Sequence, residues 1–207
     1  MAGSSPNAYN QMMKDPTTNN EVISDDHDLL ILVDSSDEQI GALDKEACHN
    51  GSGKLHRAIS VFIFNDDGDL LIQQRHTQKR LWGGVWSNSC CSHPRVGEET
   101  DVAAHRRVAE ELGLKTDLNF LFKFEYRALD AEFGTEHELC SVYAGRVDCE
   151  PIVNTTEIQA WEWVPSAELS QRVKQTPKDF TPWLQIEWAR INAEFPEDLR
   201  CGFRRSL

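Results

Sequence analysis

The sequence has no apolar run near the roughly 20 residues that a membrane-spanning helix requires. Its first ten residues, MAGSSPNAYN, lack the basic and apolar regions of a signal peptide, and they contain none of the arginine typical of a transit peptide. The last three residues, Arg205-Ser206-Leu207, differ from the Ser-Lys-Leu peroxisomal signal. We therefore expect a cytoplasmic protein that does not bind membranes.

Positive charge is scarce as well. The chain has 21 Lys and Arg residues against 34 Asp and Glu, a formal net charge of −13. Such an excess argues against a broad nucleic-acid-binding surface. An anionic substrate would have to be held by local basic residues or by metal ions. We expect a small-molecule ligand and a chain that is a monomer or a weak dimer.

The cysteines contain no Cys-x-x-Cys pair, so the sequence predicts neither a zinc ribbon nor a thioredoxin-like motif. Because no export signal is present, we expect reduced thiols, most of them packed as small apolar side chains. The six positions are Cys48, Cys90, Cys91, Cys140, Cys149 and Cys201.

The 207 residues are enough for one domain with a sizeable core. Residues 1–25 are polar and have no hydrophobic period, which predicts a flexible tail before a domain at 26–207. Periodicity and turn signals predict strands and helices interleaved without a regular βαβ repeat, hence a single α/β or α+β domain. The predicted strands are 28–33, 58–64, 69–75, 117–128, 138–147 and 158–164. The predicted helices are 98–113, 166–174 and one that starts at Thr181-Pro182.

Reactive side chains concentrate between residues 86 and 114. Cys91 and His93 lie two places apart, and the glutamates Glu110 and Glu111 end the predicted helix before Gly113. Thiol, imidazole and carboxylate groups this close together suggest metal or acid–base chemistry. The alternative is that the glutamates of this helix have no chemical role and form surface ion pairs with arginines one turn away.

Three further groups each have two readings. His49 and His56 flank a Gly-Ser-Gly loop and could be solvent-exposed or could turn toward one ion. Glu136 and Glu138 share one strand face, either as a solvated edge or around a cation. Arg75, Lys79 and Arg80 form either a solvated turn or a clamp for phosphate.

Residues 92–114 resemble a degraded Nudix box, G-x5-E-x7-R-E-U-x-E-E-x-G-U, where U is aliphatic. Two positions depart from it: Ser92 replaces the first glycine, and Arg107 replaces the glutamate after the arginine. Residues that match are Glu98, Arg106, Val108, Glu110, Glu111, Gly113 and Leu114. The resemblance implies a Nudix-type mixed β-sheet sandwiched by helices in a single compact domain.

Residues 28–190 are similar to the type 1 isopentenyl diphosphate isomerase family. They combine these two departures with further motifs in the order found in that family. The shared features are the SNSCCSHP stretch at 87–94, the histidine pair, Trp82, Glu136-x-Glu138 and Trp161-x-Trp163. This family moves a double bond between isopentenyl and dimethylallyl diphosphate through a tertiary carbocation-like state, which needs an acid and a base.

The resemblance also implies roles for individual residues. Cys91 and Glu138 would be the acid and base, Tyr126 would hydrogen-bond near the carboxylate, and Trp163 would offer its π face to the cation. The implied ligands of one divalent ion (Mn, Mg or Zn) are His49, His56, His93, Glu136 and Glu138. Glu111 and the backbone carbonyl of Cys91 would hold a Mg ion bridging to the diphosphate. The implied diphosphate-binding residues are Lys45, Arg75, Lys79, Ser92 and Arg107.

Two alternatives remain open at this stage. One is a Nudix hydrolase of a nucleoside or isoprenoid diphosphate, which Arg107 and the cysteine–histidine pair oppose. The other is a non-catalytic Nudix-like module that binds a diphosphate ligand as a sensor.

Overall fold

The computed structural model describes residues 19–200 and 202–203. Nine strands form one mixed sheet with helices on both faces, which confirms the predicted mixed β-sheet sandwiched by helices. The strands are β1 Leu29–Val33, β2 Gln39–Asp44, β3 His56–Phe64, β4 Leu70–Arg75, β5 Trp86–Ser87, β6 Cys90–Ser92, β7 Leu118–Asp130, β8 Gly134–Arg146 and β9 Ile158–Val164. The helices are α1 Lys45–His49, α2 Thr100–Leu112, α3 Ser166–Gln175, a 3₁₀ turn at Pro177–Asp179, α4 Pro182–Glu194 and α5 Pro196–Arg200.

Strand β3 is the centre of the sheet. It pairs in parallel with β8 over its whole length and is antiparallel to β1, β4 and β6. Its side chains alternate between two cores because successive residues of a strand point to opposite faces. Phe62 and Phe64 pack toward α4, whereas Ile59 and Val61 pack toward α2. The two layers of helices therefore share one sheet.

Helix α2 begins two residues after the predicted start at 98 and is capped at the predicted Gly113. Val108 and Leu112 are buried in the core beneath the sheet. The helix ends at Gly113, which has φ of 65° and whose N–H donates to the carbonyl of Ala109. Glycine adopts this left-handed conformation without the steric cost of a Cβ, so it is the favoured C-cap.

The segment before β3 departs from the sequence analysis, which assigned it no regular structure beyond a loop. Strand β2 pairs with β1, and the short helix α1 follows it. The Asp44 side chain accepts a hydrogen bond from the N–H of Ala47 at 3.3 Å and caps α1. His49 is the last residue of this helix and is buried, not a solvent-exposed loop residue.

Residues 1–18 lie outside the described part of the chain, so the predicted flexible tail and the domain boundary at 26 stay predictions. From Asn19 onward the chain lies along the domain: Asn19 forms a β-bridge with Asn154, and Arg107 Nη1 donates to the Ile23 carbonyl at 3.0 Å. Among residues 19–200, no helix is long and apolar enough to cross a membrane.

Candidate active site

A cavity of about 670 Å³ gathers most of the residues singled out in the sequence. Three of the predicted residues, His56, Glu111 and Trp163, are not in its lining. The predicted residues that line it are Lys45, His49, Arg75, Lys79, Cys91, Ser92, His93, Arg107, Tyr126, Glu136 and Glu138. The cavity therefore combines a thiol, imidazoles, carboxylates and several cations.

Strand register brings these side chains together. In the parallel pair β3–β8, His56 lies beside Glu138, and in the antiparallel pair β7–β8, Tyr126 lies opposite the same glutamate. Across β3 and β6, Ser60 pairs with Cys91. Neighbours across strands have Cβ atoms about 4.5–5.5 Å apart and so share one face. Pairing distant in sequence thus assembles the site.

Four of the predicted metal ligands form one tight group. The donor atoms of His49, His56, His93 and Glu136 all lie within 4.8 Å of one another. His56 Nδ1 lies 2.7 Å from the carbonyl of Lys54 and donates to it, which leaves Nε2 with a free lone pair. His56 Nε2 in turn lies 3.2 Å from His93 Nε2.

The group fits a divalent cation on three counts. His49 Nε2 and Glu136 Oε2 are buried and lie 2.8 Å from each other, and neither has a further hydrogen-bond partner. Burial lowers the pKa of His56 to about 4, so its imidazole is neutral and able to ligate. Imidazole nitrogen and carboxylate oxygen together suit several divalent metals. A bound cation would satisfy the unpaired atoms.

Gly134 makes the approach of α1 to β8 possible. Its φ is 142°, and a Cβ there would clash with the carbonyl oxygen of His49. Glycine is suited to such a close passage of two backbones. Helix α1 can therefore place His49 against Glu136, two residues along β8.

Glu138 is the fifth predicted ligand and lies at the edge of this group. Its Oε1 is 3.1 Å from His93 Nε2, and its Oε2 accepts a hydrogen bond from the Tyr126 hydroxyl at 2.7 Å. Burial, followed by the charge of Glu136, raises the pKa of Glu138 to about 7. Burial would raise the pKa of Glu136 too, but the contact with His49 outweighs it and holds that pKa well below its usual value. Glu138 can thus carry a proton that Glu136 does not.

The Cys91 thiol faces the cavity among several donors. Trp183 Nε1 lies 3.1 Å from its sulfur, and the thiol donates to Asn88 Oδ1 at 2.8 Å. Burial, and then the charge of Glu187, raises the pKa of Cys91 to about 12. Cys90 points to the other face of the sheet and is fully buried, as expected of most of the cysteines in the sequence.

Trp163 does not lie in the cavity, which corrects the sequence analysis. Trp161 and Trp163 are two residues apart on β9, so both rings face the α2 side of the sheet, and Trp163 Nε1 donates to Glu150. The tryptophan of the site is Trp183, at the start of α4. The sequence analysis placed this tryptophan in the helix that starts at Thr181-Pro182 and gave it no role in the site.

The cations surround the outer part of the cavity and are partly neutralised. Arg107 donates to Glu111 Oε1 from Nη2 at 2.6 Å and from Nε at 3.0 Å. Lys79 forms an ion pair with Glu157, whose Oε1 also lies 3.8 Å from Arg107. Burial would raise the pKa of Glu157, but Lys79 and Arg107 lower it to about 2. Glu157 received no role from the sequence, and it holds these two cations together.

Lys45 and Arg75, together with Lys79 and Arg107, form the basic wall of the cavity. Burial, and then the charge of Lys79, lowers the pKa of Lys45, whose Nζ donates to Ser24 Oγ at 2.7 Å. Arg75 stacks over the Trp183 ring with its guanidinium carbon 5.2 Å from the centroid, and its buried Nε has no hydrogen-bond partner. An anion in the cavity would find unsatisfied donors here.

Comparison with known proteins identifies the family. The NUDIX domain model matches residues 54–184. The isopentenyl-diphosphate Delta-isomerase of Pectobacterium atrosepticum is 47% identical over 163 residues, which are 78% of this chain and 90% of the relative. The chain belongs to the isopentenyl-diphosphate Delta-isomerase family. A second member of the family, from Aromatoleum aromaticum, is 42% identical and covers 83% of this chain and 96% of its own.

Solved structures agree with the isomerase family's NUDIX domain in fold. A protein of Deinococcus radiodurans superposes with a TM-score of 0.66 at 24% identity, covering 79% of this chain and 98% of its own. The MutT protein of Methanosarcina mazei gives a TM-score of 0.57 at 16% identity, over 68% of this chain and 94% of its own. These two likenesses concern the fold alone.

Proposed function

We propose that this chain catalyses the interconversion of isopentenyl and dimethylallyl diphosphate. The observation that carries the proposal is a buried thiol, Cys91, and a buried carboxyl group, Glu138, lining one cavity with a basic outer wall. The family to which the chain belongs is the second support. A diphosphate would be bound at the wall, and its short hydrocarbon chain would reach inward.

The proton transfers follow from the chemistry of the substrate. One group adds a proton to the terminal alkene carbon, which leaves a tertiary cation-like centre, and another removes a proton from the neighbouring chain carbon. Cys91 and Glu138 supply these two functions, one each. Proton transfer by positioned side chains typically contributes 10²–10⁴-fold to a rate. Tyr126 orients Glu138 through its hydrogen bond to Oε2.

A divalent ion would be held by His49, His56, His93 and Glu136, with Glu138 beside it. Such an ion supplies fixed positive charge that tunes the acidity of the adjacent carboxyl group. The chain's own part is to present the three imidazoles, with that of His56 neutral, and to keep Glu138 within reach of both the ion and Tyr126. Manganese, magnesium and zinc all suit these ligands.

The diphosphate would be bound by Lys45, Arg75 and Lys79, with Ser92 and Arg107 as further contacts. A magnesium ion bound with the substrate would be held by Glu111 and the Cys91 carbonyl, and Glu111 Oε2 is buried without a hydrogen-bond partner. Lys79 and Arg107 are paired with glutamates in this structure. When the substrate binds, these two side chains would donate charge-assisted hydrogen bonds to phosphate oxygens instead.

Trp183 takes the role that the sequence analysis gave to Trp163. Its ring lines the cavity beside Cys91, where the face of an indole stabilises positive charge by about 2 kcal/mol or more when water is excluded. Trp82 packs edge-on against it with ring centroids 5.2 Å apart and fixes its orientation.

The decisive experiment is incubation with isopentenyl diphosphate in deuterated water, following product formation and deuterium uptake together. We expect dimethylallyl diphosphate carrying deuterium from solvent. Release of inorganic phosphate or diphosphate without double-bond migration would instead indicate hydrolysis. Arg107 disfavours hydrolysis, because it stands where the Nudix box has a glutamate. Its guanidinium also forms an ion pair with Glu111.

A further inference from the structure

The amide side chain of Asn88 contacts the Cys91 thiol from outside the cavity. Asn88 is fully buried between β5 and β6 and is not part of the cavity lining. The proposed chemistry gives it no role. Burying a primary amide costs free energy unless its hydrogens and its oxygen are hydrogen-bonded. The partners of each end therefore indicate what this side chain does.

The orientation of the amide follows from the groups around it. Asn88 Nδ2 lies 3.1 Å from the carbonyl oxygen of Val61 and 3.2 Å from that of Cys90. Carbonyl oxygens can only accept, so the amide nitrogen must face them and the amide oxygen must face away. Nδ2 also donates to Ser60 Oγ at 2.8 Å. A flipped amide would place its oxygen against two carbonyl oxygens.

The amide oxygen faces the thiol. Asn88 Oδ1 lies 2.8 Å from Cys91 Sγ and accepts a second hydrogen bond from the Ser87 hydroxyl at 3.1 Å. An amide oxygen carries no hydrogen, so the hydrogen in the contact with sulfur is that of the thiol. The hydroxyl oxygens of Ser60 and Ser87 lie farther from the sulfur, at 3.7 Å and 3.8 Å. The thiol hydrogen therefore points to Asn88.

The Ser60 hydroxyl has its single hydrogen on another group. It donates to Glu187 Oε2 at 2.7 Å. The donor to the sulfur is Trp183 Nε1, at 3.1 Å. Cys91 Sγ is thus held between a donor from α4 and an acceptor from the connection between β5 and β6. Because hydrogen bonds are directional, the two contacts together restrict where the sulfur can lie.

We propose that Asn88 is a positioning residue for the isomerisation: its amide oxygen accepts the Cys91 thiol hydrogen and holds the sulfur at the cavity wall. This inference rests on the proposed function for its consequence in turnover. Rotation about the Cβ–Sγ bond alone turns the hydrogen toward the cavity, so the sulfur does not have to move. A reacting group held in place raises kcat with little effect on substrate binding. Asn88 itself does not contact the substrate.

The substitution Asn88→Leu tests the contact, because leucine has nearly the same branched shape and offers no acceptor. We expect kcat to fall on the order of tenfold with KM nearly constant. Asn119→Leu, the same change at an exposed position of β7, is the matched control and should leave both constants unchanged. Ser60→Ala removes one acceptor of Nδ2 but leaves the two carbonyls that orient the amide, so kcat should stay within about threefold.

The S–H stretching band of Cys91 gives a readout that a general loss of packing would not produce. The band is isolated as the difference between infrared spectra recorded with and without the Cys91→Ala substitution. In the unchanged chain it should lie below the band of ethanethiol in an apolar solvent, because a hydrogen bond weakens the S–H bond. It should rise toward that reference in Asn88→Leu and stay in place in Ser60→Ala and Asn119→Leu.

Three results would overturn the role of Asn88. The first is a Cys91 band in the unchanged chain at the frequency of the reference thiol, which needs no variant of Asn88 to measure. The second is a band that does not shift in Asn88→Leu. The third is a rise in KM as large as the fall in kcat, which would indicate a disturbed cavity.

Thermal unfolding checks that each variant is folded, and Asn88→Ala takes the place of Asn88→Leu if the latter does not fold. Absence of turnover in the unchanged chain would contradict the proposed function. The S–H band would still decide whether Asn88 holds the thiol.

Discussion

Trp183 Nε1 lies 3.1 Å from Cys91 Sγ, so the first turn of α4 directly contacts a thiol on β6, a strand that pairs with β3. The two residues are 92 positions apart in the chain. The contact fixes the orientation of the indole ring over the cavity. It also makes Trp183, not Trp163, the aromatic residue that can face a developing cation.

Substitution of the two tryptophans should separate them by function. We expect Trp183→Phe to lower kcat about tenfold or more, because phenylalanine offers a weaker cation–π surface and no N–H to the sulfur. Trp163→Phe, whose ring faces the α2 side, should leave kcat within about twofold. Steady-state kinetics with isopentenyl diphosphate measures both. Equal losses in the two variants would argue against this placement.

The proposed acid and base should each be indispensable. Cys91→Ser and Glu138→Gln should lower kcat at least about 100-fold, the low end of what a positioned proton-transfer group contributes. Both changes nearly preserve side-chain shape, so circular dichroism should stay unchanged. Cys149→Ser, at an exposed cysteine, is the matched control. Near-normal turnover in either active-site variant would contradict the assigned roles.

The architecture follows from the sequence where local patterns decide it. The run of β-branched and aromatic residues at 58–64 and the glycine at 113 predicted β3 and the end of α2 correctly, because strand propensity and helix capping are local properties. Strand β2 and helix α1 were missed because their residues are weakly apolar. Strand β2 is held by its pairing with β1, and helix α1 is held by its N-cap at Asp44.

The site was predictable as a set of residues but not in its pairwise geometry. Trp161 and Trp163 matched a familiar pattern, yet which face of β9 they occupy depends on how β9 pairs with β4. Glu187 and Glu157 were overlooked, although the first had a signal in the sequence. Glu187 falls on the apolar face of a predicted helix, and that conflict between charge and position is visible in the sequence alone.

Removal of divalent metal should abolish turnover and lower stability. The His49–His56–His93–Glu136 group contains buried atoms without hydrogen-bond partners, so a bound ion stabilises the folded chain by mass action. After treatment with EDTA we expect no isomerisation and a lower melting temperature, both restored by adding back manganese, magnesium or zinc. His49→Ala should lose the metal-dependent rise in melting temperature, and His105→Ala, on the exposed side of α2, should keep it. Full activity in chelated buffer would count against a metal site.

Loss of a cation from the wall should weaken substrate binding more than turnover. Lys79→Met removes one proposed phosphate contact and leaves Glu157 with its charge facing the incoming diphosphate. We expect KM for isopentenyl diphosphate to rise about tenfold or more, with a smaller change in kcat. Lys178→Met, on the exposed 3₁₀ turn, is the control for the loss of a surface charge. An unchanged KM in Lys79→Met would place the diphosphate elsewhere.

Two truncations should distinguish the far N-terminal residues from the segment that borders the cavity. Contacts of the described segment begin at Asn19 and include the Ile23 carbonyl with Arg107 and Ser24 with Lys45, two residues of the basic wall. Deletion of residues 1–18 should therefore leave kcat and KM nearly unchanged. Deletion of residues 1–27 frees both cations and opens the cavity to water, so we expect KM and kcat to change together. The same kinetic assay compares the two shortened chains at equal metal concentration, with thermal unfolding as the check on folding. A large loss of activity in the shorter deletion would show that residues before Asn19 also cover the substrate.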